Sequence, residues 1–259
     1  MTAPRNNSTT SWSHGEREAR IDLAAAHRLA VRDGFDEGVC NHFTLSVPGT
    51  ADQFFAIPYG LHWTEVSAGH FLKVSFAHAI VDGEGRVEDT AYFIHAPLHR
   101  LVPHGRCVLH THMPFATALC SLEPGRLEPI GQTGSYVAAQ TAYDDTYTGL
   151  AMDESEGERM AAVLGDRKIL LHRHHGVMVV AETVSEAYSL LYYLERAARG
   201  QYLAMSSGRA VAPIPEPVLA AIAEQRRASH NQQGTPRHVL HFGALKRVLD
   251  REDPTYRCI

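Results

Sequence analysis

Several features that would assign a protein class immediately are missing from this sequence. No apolar run approaches the ~20 residues that a membrane-spanning helix needs. The N-terminal segment has no apolar core of the secretory type, so we expect a cytoplasmic protein with a disordered arm over residues 1–14. The formal net charge of -5 provides no basic surface, and we expect neither nucleic acid nor a membrane as a partner.

Cysteine and glycine patterns exclude two further classes. The four cysteines form no C-x-x-C pair, so we expect no disulfide framework. No glycine-rich phosphate loop of the Walker or Rossmann kind occurs, which argues against nucleotide binding. A small molecule of another type is the expected substrate.

The composition is that of a folded globular chain. Among 259 residues, 44% are apolar and 20% are charged, which allows a sizeable core and excludes global disorder. We find no internal repeat and no second core. The sequence therefore predicts one α/β domain over residues 15–208, followed by a linker and a C-terminal helical extension over 209–259.

Two histidines stand on one predicted strand, Cys107 to His112, which reads C-V-L-H-T-H. Alternate side chains of a strand share a face, so His110 and His112 point the same way and Thr111 points opposite. Such a pair is either two hydrogen-bonded core histidines or two ligands of one divalent cation.

A second histidine cluster favours the metal interpretation. Residues 170–176 read L-L-H-R-H-H-G and precede the apolar run Val177 to Val180. A third ligand from this strand-end turn would give three histidines and an open coordination position, which is typical of a catalytic metal.

Other elements follow from periodicity and capping signals. Residues 94–101 are predicted to form a helix that leads to the histidine strand, and the capping box at 183–186 opens a long helix. Residues 124–134 are predicted to be a loop, 136–147 a strand, and 218–227 and 239–249 two further helices.

The ordered set of motifs resembles the class II aldolase/adducin family from about Glu16 to Tyr202. The motifs are N-H-F-T at Asn41, I-P-Y-G at Ile57, H-T-H at His110 and H-H-G at His174. The resemblance implies a three-layer α/β/α sandwich around a central, mainly antiparallel sheet. It also implies a homotetramer with active sites near the subunit interfaces.

The resemblance assigns site residues as well. His110, His112 and His175 match the family's metal-binding histidines, with zinc the first choice and iron, manganese or cobalt as alternatives. His42 and Gly60 fall at substrate-binding positions of the family.

The departures from the family pattern bear on activity. The family's sugar-phosphate aldolases carry a catalytic Glu where this chain has Ala91, and their phosphate-binding Gly-Asn pair is here Asn41-His42. These changes match the adducin-like branch. Asp89 or His174 are possible substitutes for the missing Glu, and His95 is the preferred candidate for proton transfer.

Three functions remain open at this stage. The first is a divalent-metal-dependent lyase, retro-aldol or decarboxylating, that acts on a small non-phosphorylated hydroxy or keto acid or a related carbonyl compound. The second is a non-haem iron oxygenase or oxidative decarboxylase on the same fold, because neutral imidazoles also bind Fe(II). The third is a non-catalytic adducin-like assembly module, which has no chemical need for three histidines.

Overall fold

The computed structural model describes residues 12–232 and 234–259. Most of the arm expected over residues 1–14 therefore lies outside the described residues. At its described end, Ser13 caps the first helix by accepting a hydrogen bond from the Glu16 backbone N–H at 3.1 Å. The Arg20 guanidinium lies 4.1 Å from the centre of the Trp12 ring.

Eight α-helices and eight strands form the regular structure of the described residues, together with two short 3-10 helices at Ala68–His70 and Pro254–Arg257. The helices are α1 His14–Asp33, α2 Asp89–Leu101, α3 Pro114–Cys120, α4 Gly131–Ala138, α5 Glu154–Leu164, α6 Val184–Met205, α7 Glu216–Gln232 and α8 Arg237–Glu252. The strands are β1 His42–Ser46, β2 Gln53–Ala56, β3 Leu72–Ser75, β4 Ile80–Asp82, β5 Cys107–Thr111, β6 Thr141–Asp144, β7 Ile169–His172 and β8 Gly176–Ala181.

All eight strands form one sheet in the order β4-β3-β2-β1-β5-β8-β7-β6. Every neighbouring pair is antiparallel except β6 and β7. Helices α1 and α6 contact one face, and α2 and α5 contact the other. The predicted α/β/α sandwich with a mainly antiparallel sheet is therefore confirmed.

Strand β5 lies in the middle of the sheet and is buried along its whole length. Cys107 and Leu109 belong to the core that includes α1 and α6, whereas Val108 belongs to the core of α2 and α5. By the same alternation, His110 and His112 lie on the face that α2 covers.

Two predictions of local structure were wrong. The predicted loop at 124–134 ends early because α4 begins at Gly131, and the predicted strand at 136–147 is split between α4 and β6. The apolar and aromatic residues of this stretch do not alternate strictly, so helix and strand could not be separated by period. Strand β6 is fixed instead by parallel pairing with β7, a contact distant in sequence.

The C-terminal helices contribute to the main core to different extents. Phe242, Leu249 and Tyr256 are buried in the same cluster as α1 and α6. Helix α7, in contrast, is exposed along most of its described length. Within the described residues no helix is both long and apolar enough to cross a bilayer.

Candidate metal centre

Three predicted ligands meet at one end of the central strands. His110 pairs with Met178 of β8 one residue before β5 ends, His112 follows β5, and His175 directly precedes β8. One side-chain nitrogen from each residue lies within 4.8 Å of the others. The ring centroids are 4.9 Å apart for His110 and His112, 4.8 Å for His110 and His175, and 5.1 Å for His112 and His175.

Gly176 allows the tight approach of the two histidine segments. A Cβ at this position would lie 2.6 Å from Cδ2 of His112 and 2.7 Å from the carbonyl oxygen of Thr111. The preceding His174 adopts a left-handed conformation with φ 57°, and its backbone N–H donates to the Cys120 carbonyl at 3.1 Å. His174 is itself exposed, so its role lies in shaping the turn that presents His175.

Hydrogen bonds fix the tautomers of two ligand candidates. His110 donates its Nδ1–H to the Val177 carbonyl at 3.0 Å, and His112 donates its Nδ1–H to the Glu37 carboxylate. The lone pair on Nε2 of each ring is therefore available to a cation. Nε2 of His112 is buried and has no partner among the described residues.

Burial keeps the imidazoles of His110 and His175 neutral. It is the largest cause that lowers the pKa of His110 well below its ordinary value, with repulsion by His175 as the next. Burial also lowers the pKa of His175 to about 4, helped by His172 and His112. Neutral imidazole is the form that binds metal, so the cluster fits one divalent cation with three nitrogen ligands and open positions.

Glu37 is a site residue that sequence reasoning missed. It lies in the segment between α1 and β1, and it reaches His112 across 75 positions of the chain. A carboxylate that accepts the second N–H of a ligating histidine is a common support of metal sites. Nothing in the local sequence around Glu37 signals this contact.

His42 and His95 form a second layer next to the cluster. His42 pairs directly with His110 in the β1–β5 register, and their rings stack with centroids 6.0 Å apart. The ring of His95 on α2 lies 5.9 Å from that of His42. The structure therefore brings both predicted residues close to the three ligand candidates.

A chain of hydrogen bonds sets the tautomer of His95. Nδ1 of His99 contacts the Gly105 carbonyl at 2.6 Å and must carry a proton, so Nε2 of His99 accepts from the Thr44 hydroxyl at 2.8 Å. The Thr44 oxygen then accepts from Nδ1–H of His95 at 2.6 Å. Nε2 of His95 thus carries a free lone pair; this atom is buried and has no hydrogen-bond partner among the described residues. Burial, followed by repulsion from His42 and His99, lowers the pKa of His95 well below its ordinary value.

Glu88 is the second residue that sequence reasoning missed. Helix α2 begins at Asp89. Four residues therefore recur at helical spacing and lie along one face: Glu88, Ala91, His95 and His99. The Glu88 carboxylate caps the helix by accepting from the Ala91 N–H at 2.7 Å, and its Oε2 lies 3.6 Å from Nε2 of His42. Burial alone would raise the pKa of Glu88, but hydrogen bonds from Thr90 and Ala91 outweigh it and the pKa is lowered.

The suggestion that Asp89 replaces the missing Glu was wrong. The Asp89 side chain is 66% exposed and lies 3.7 Å from His78 on the outside of the helix. The carboxylate of Glu88, one helical turn before Ala91, faces the site instead.

A narrow pocket leads away from this second layer. It is lined by His42, Glu88 and Ala91 on one side and by the turn of Tyr59 and Gly60 on the other. The remaining lining is largely apolar and includes Val39, Leu61 and Val87. Gly60, with φ 93°, therefore lies in the pocket wall, and none of the three ligand candidates is among the residues that line this pocket.

A neighbouring acidic cluster is not a second cation site. Asp144, Glu156 and His172 bring ligand atoms within 4.8 Å of one another. Arg159, however, binds Asp144 through two hydrogen bonds of 2.8 and 2.6 Å and also pairs with Glu156 at 2.7 Å. The guanidinium therefore already binds both carboxylates and offsets one of their two negative charges.

The fold and this cluster together define an α/β/α sandwich protein with a histidine-based candidate metal centre. A family model described as Class II Aldolase and Adducin N-terminal domain matches residues 21–202. The chain therefore belongs to the class II aldolase and adducin family, and the resemblance seen in the sequence is confirmed.

Relatives and solved structures agree with this assignment. A Caulobacter vibrioides protein that carries an aldolase class 2 name is 34% identical over 246 residues, covering 94% of this chain and 93% of that protein. The crystal structure of an aldolase II superfamily protein from Pseudomonas syringae matches with a TM-score of 0.88 and 34% identity, covering 96% of this chain and 98% of the other. A Streptomyces roseochromogenus subsp. oscitans protein named 4-hydroxy-3-prenylphenylpyruvate oxygenase/4-hydroxy-3-prenylbenzoate synthase is 30% identical over 239 residues, covering 90% of this chain and 85% of that protein.

Proposed function

We propose that this protein is a divalent-metal-dependent lyase, retro-aldol or decarboxylating, that acts on a small non-phosphorylated hydroxy or keto acid or a related carbonyl compound. The observation that carries the proposal is the convergence of three imidazoles, His110, His112 and His175, beside a histidine with a free, buried lone pair. A non-catalytic assembly module gains nothing from this arrangement.

A cation held by these three histidines, zinc by first choice with iron, manganese or cobalt as alternatives, would polarise a carbonyl or carboxylate oxygen as a Lewis acid. The protein supplies the other functions itself. Nε2 of His95 accepts or returns a proton, because its tautomer is fixed by Thr44 and burial keeps it neutral. Glu88 provides a carboxylate near His42 that partly replaces the group lost at Ala91.

The pocket supports the preference for a non-phosphorylated substrate. Its lining includes the acidic Glu88, and no lysine or arginine is among the lining residues described. A phosphate group would be repelled by this negative charge and would find no cationic partner. His42 and Gly60 in this wall are the proposed contacts for the neutral part of the substrate.

A second candidate function is a non-haem iron oxygenase or oxidative decarboxylase. The Streptomyces relative carries an oxygenase name, and three imidazole ligands with open coordination positions also suit Fe(II). Assembly as a homotetramer and a cytoplasmic location complete the proposal and rest on the family resemblance.

The test separates these alternatives. The protein is purified anaerobically, loaded with zinc or with Fe(II), and assayed against small hydroxy and keto acids and their phosphorylated counterparts, with oxygen uptake recorded in parallel. The lyase proposal expects cleavage or decarboxylation without oxygen, lost in His110→Ala. Oxygen consumption that matches turnover would instead establish the oxygenase, and efficient cleavage of a sugar phosphate would contradict the proposed substrate class.

A further inference from the structure

The largest cavity among those described lies away from the metal centre. It has a volume of about 490 Å³ and is lined by residues of α4, α6, α7 and α8. These include Tyr136 of α4 and Ser189 and Tyr193 of α6. Helices α6 and α8 pack on the α1 side of the sheet, opposite the face that carries His110 and His112. The volume is in the range of small-molecule binding sites.

Two arginines face this cavity without a counter-charge. Arg226 and Arg237 both line it, and no carboxylate belongs to its described lining. Neither arginine forms an ion pair with any other residue that the structure describes. Residues 1–11 and 229–233 contain no aspartate or glutamate, so these parts of the chain cannot supply one.

Arg226 is held in place by contacts that leave its charge unneutralised. One terminal nitrogen donates to the Gln132 carbonyl at 2.9 Å and contacts the Ser135 hydroxyl at 3.3 Å, while the guanidinium lies 5.0 Å from the centre of the Tyr136 ring. Burial lowers the pKa of Arg226; Tyr136 opposes this, and the charge of Arg237 lowers it further. The two guanidiniums therefore repel each other across the cavity.

The surrounding backbone adds to the positive potential. Helix α4 begins next to Gln132 and Thr133, and α8 begins at Arg237, all of them at the cavity. Neither helix has a side-chain cap at its N-terminus. Helix starts without a side-chain cap carry a partial positive charge, which favours an anion.

We propose that the cavity between α4, α6, α7 and α8 binds a small oxyanion of at least two negative charges, a phosphate monoester or a dicarboxylate, through Arg226 and Arg237. The anion neutralises both guanidiniums, and hydroxyl groups such as that of Tyr193 offer further hydrogen bonds. This site is separate from the metal centre and does not depend on the function proposed there.

The test is isothermal titration of the metal-loaded protein at fixed ionic strength, with inorganic phosphate in one arm and succinate in the other. The two arms tell phosphate recognition from carboxylate recognition. Saturable binding is expected in at least one arm, and Arg226→Gln and Arg237→Gln should each raise Kd roughly tenfold or more, because each removes a charged hydrogen-bond donor. Thermal unfolding of each variant verifies that it is folded.

Arg227→Gln is the matched control. This neighbouring arginine on α7 is exposed and pairs with Glu224 at 2.6 Å, so its replacement should leave Kd unchanged. Binding that persists equally in Arg226→Gln and Arg237→Gln would place the anion elsewhere, for example on the metal, and would overturn the proposal. Absence of binding by the wild type in both arms would overturn it as well.

Discussion

Replacement of Glu37 by glutamine tests whether the contacts around the cluster serve metal binding. The Glu37 carboxylate accepts the Nδ1–H of His112 and so holds Nε2 toward His110 and His175. Glutamine keeps the length of the side chain and an acceptor oxygen but removes the negative charge. The change therefore isolates the electrostatic support of one ligand.

The expected loss of affinity follows from the exposure of this contact. Carboxylate partners of ligating histidines contribute 10–100-fold to metal affinity. The Glu37 side chain is 59% exposed while that of His112 is 20% exposed, so solvent screens part of the interaction. We expect Glu37→Gln to weaken zinc binding by roughly tenfold, at the lower end of that range.

Competition with a chromophoric chelator measures this loss. Asp36→Asn is the matched control, because Asp36 is the adjacent carboxylate but lies 3.7 Å from His62, away from the cluster. The control should bind zinc like the wild type. Equal affinity of Glu37→Gln and wild type, or an equal loss in both variants, would refute the argument that His112 is a ligand supported by Glu37.

Three further predictions concern proton transfer and the core. His95→Gln should lower turnover at least tenfold with metal content intact, whereas Ala91→Glu should not raise it; a large gain from the latter would indicate a damaged aldolase. Glu88→Gln keeps the helix cap and should also reduce kcat, while Asp89→Asn, exposed on the same helix, should leave kcat unchanged. Burial lowers the pKa of His27 to about 3, so stability should fall as the pH drops from about 6.5 toward 3, because the unfolded chain binds a proton there that the folded chain excludes. His27→Leu should remove this dependence. When urea unfolding is measured at pH 7 and at pH 5, the free energy of unfolding of the wild type should fall by about 2 kcal/mol more than that of the variant. An equal fall in both proteins would contradict this prediction.

The central strand could be predicted because the pattern that indicates it lies within one short segment of the sequence. An apolar run with alternate histidines predicts a buried strand with both imidazoles on one face, and β5 spans Cys107–Thr111. The helix after the capping box at Thr183 was equally accessible, since the cap and the apolar period lie within one segment. His175 as the third ligand came only from the family motif.

The supporting residues could not be predicted, because they depend on how distant segments meet. His42 faces His110 only through the β1–β5 register, and Glu37 reaches His112 only because the chain between α1 and β1 returns past the strand end. Glu88 was missed for a different reason. The first turn of α2 mixes polar and apolar residues and is too short to show a helical period. The start of the helix, and with it the alignment of Glu88 with His95 on one face, could therefore not be predicted.

Metal analysis of the folded protein tests the central claim most directly. We expect one divalent cation per chain, with X-ray absorption that indicates three imidazole nitrogens at roughly 2.0–2.1 Å. Metal should be lost in His110→Ala and in His175→Ala. It should be retained in His174→Asn, because asparagine tolerates the left-handed backbone at this exposed position and so preserves the turn that presents His175. Full stoichiometric metal in folded His110→Ala and His175→Ala proteins would contradict the assignment of the site.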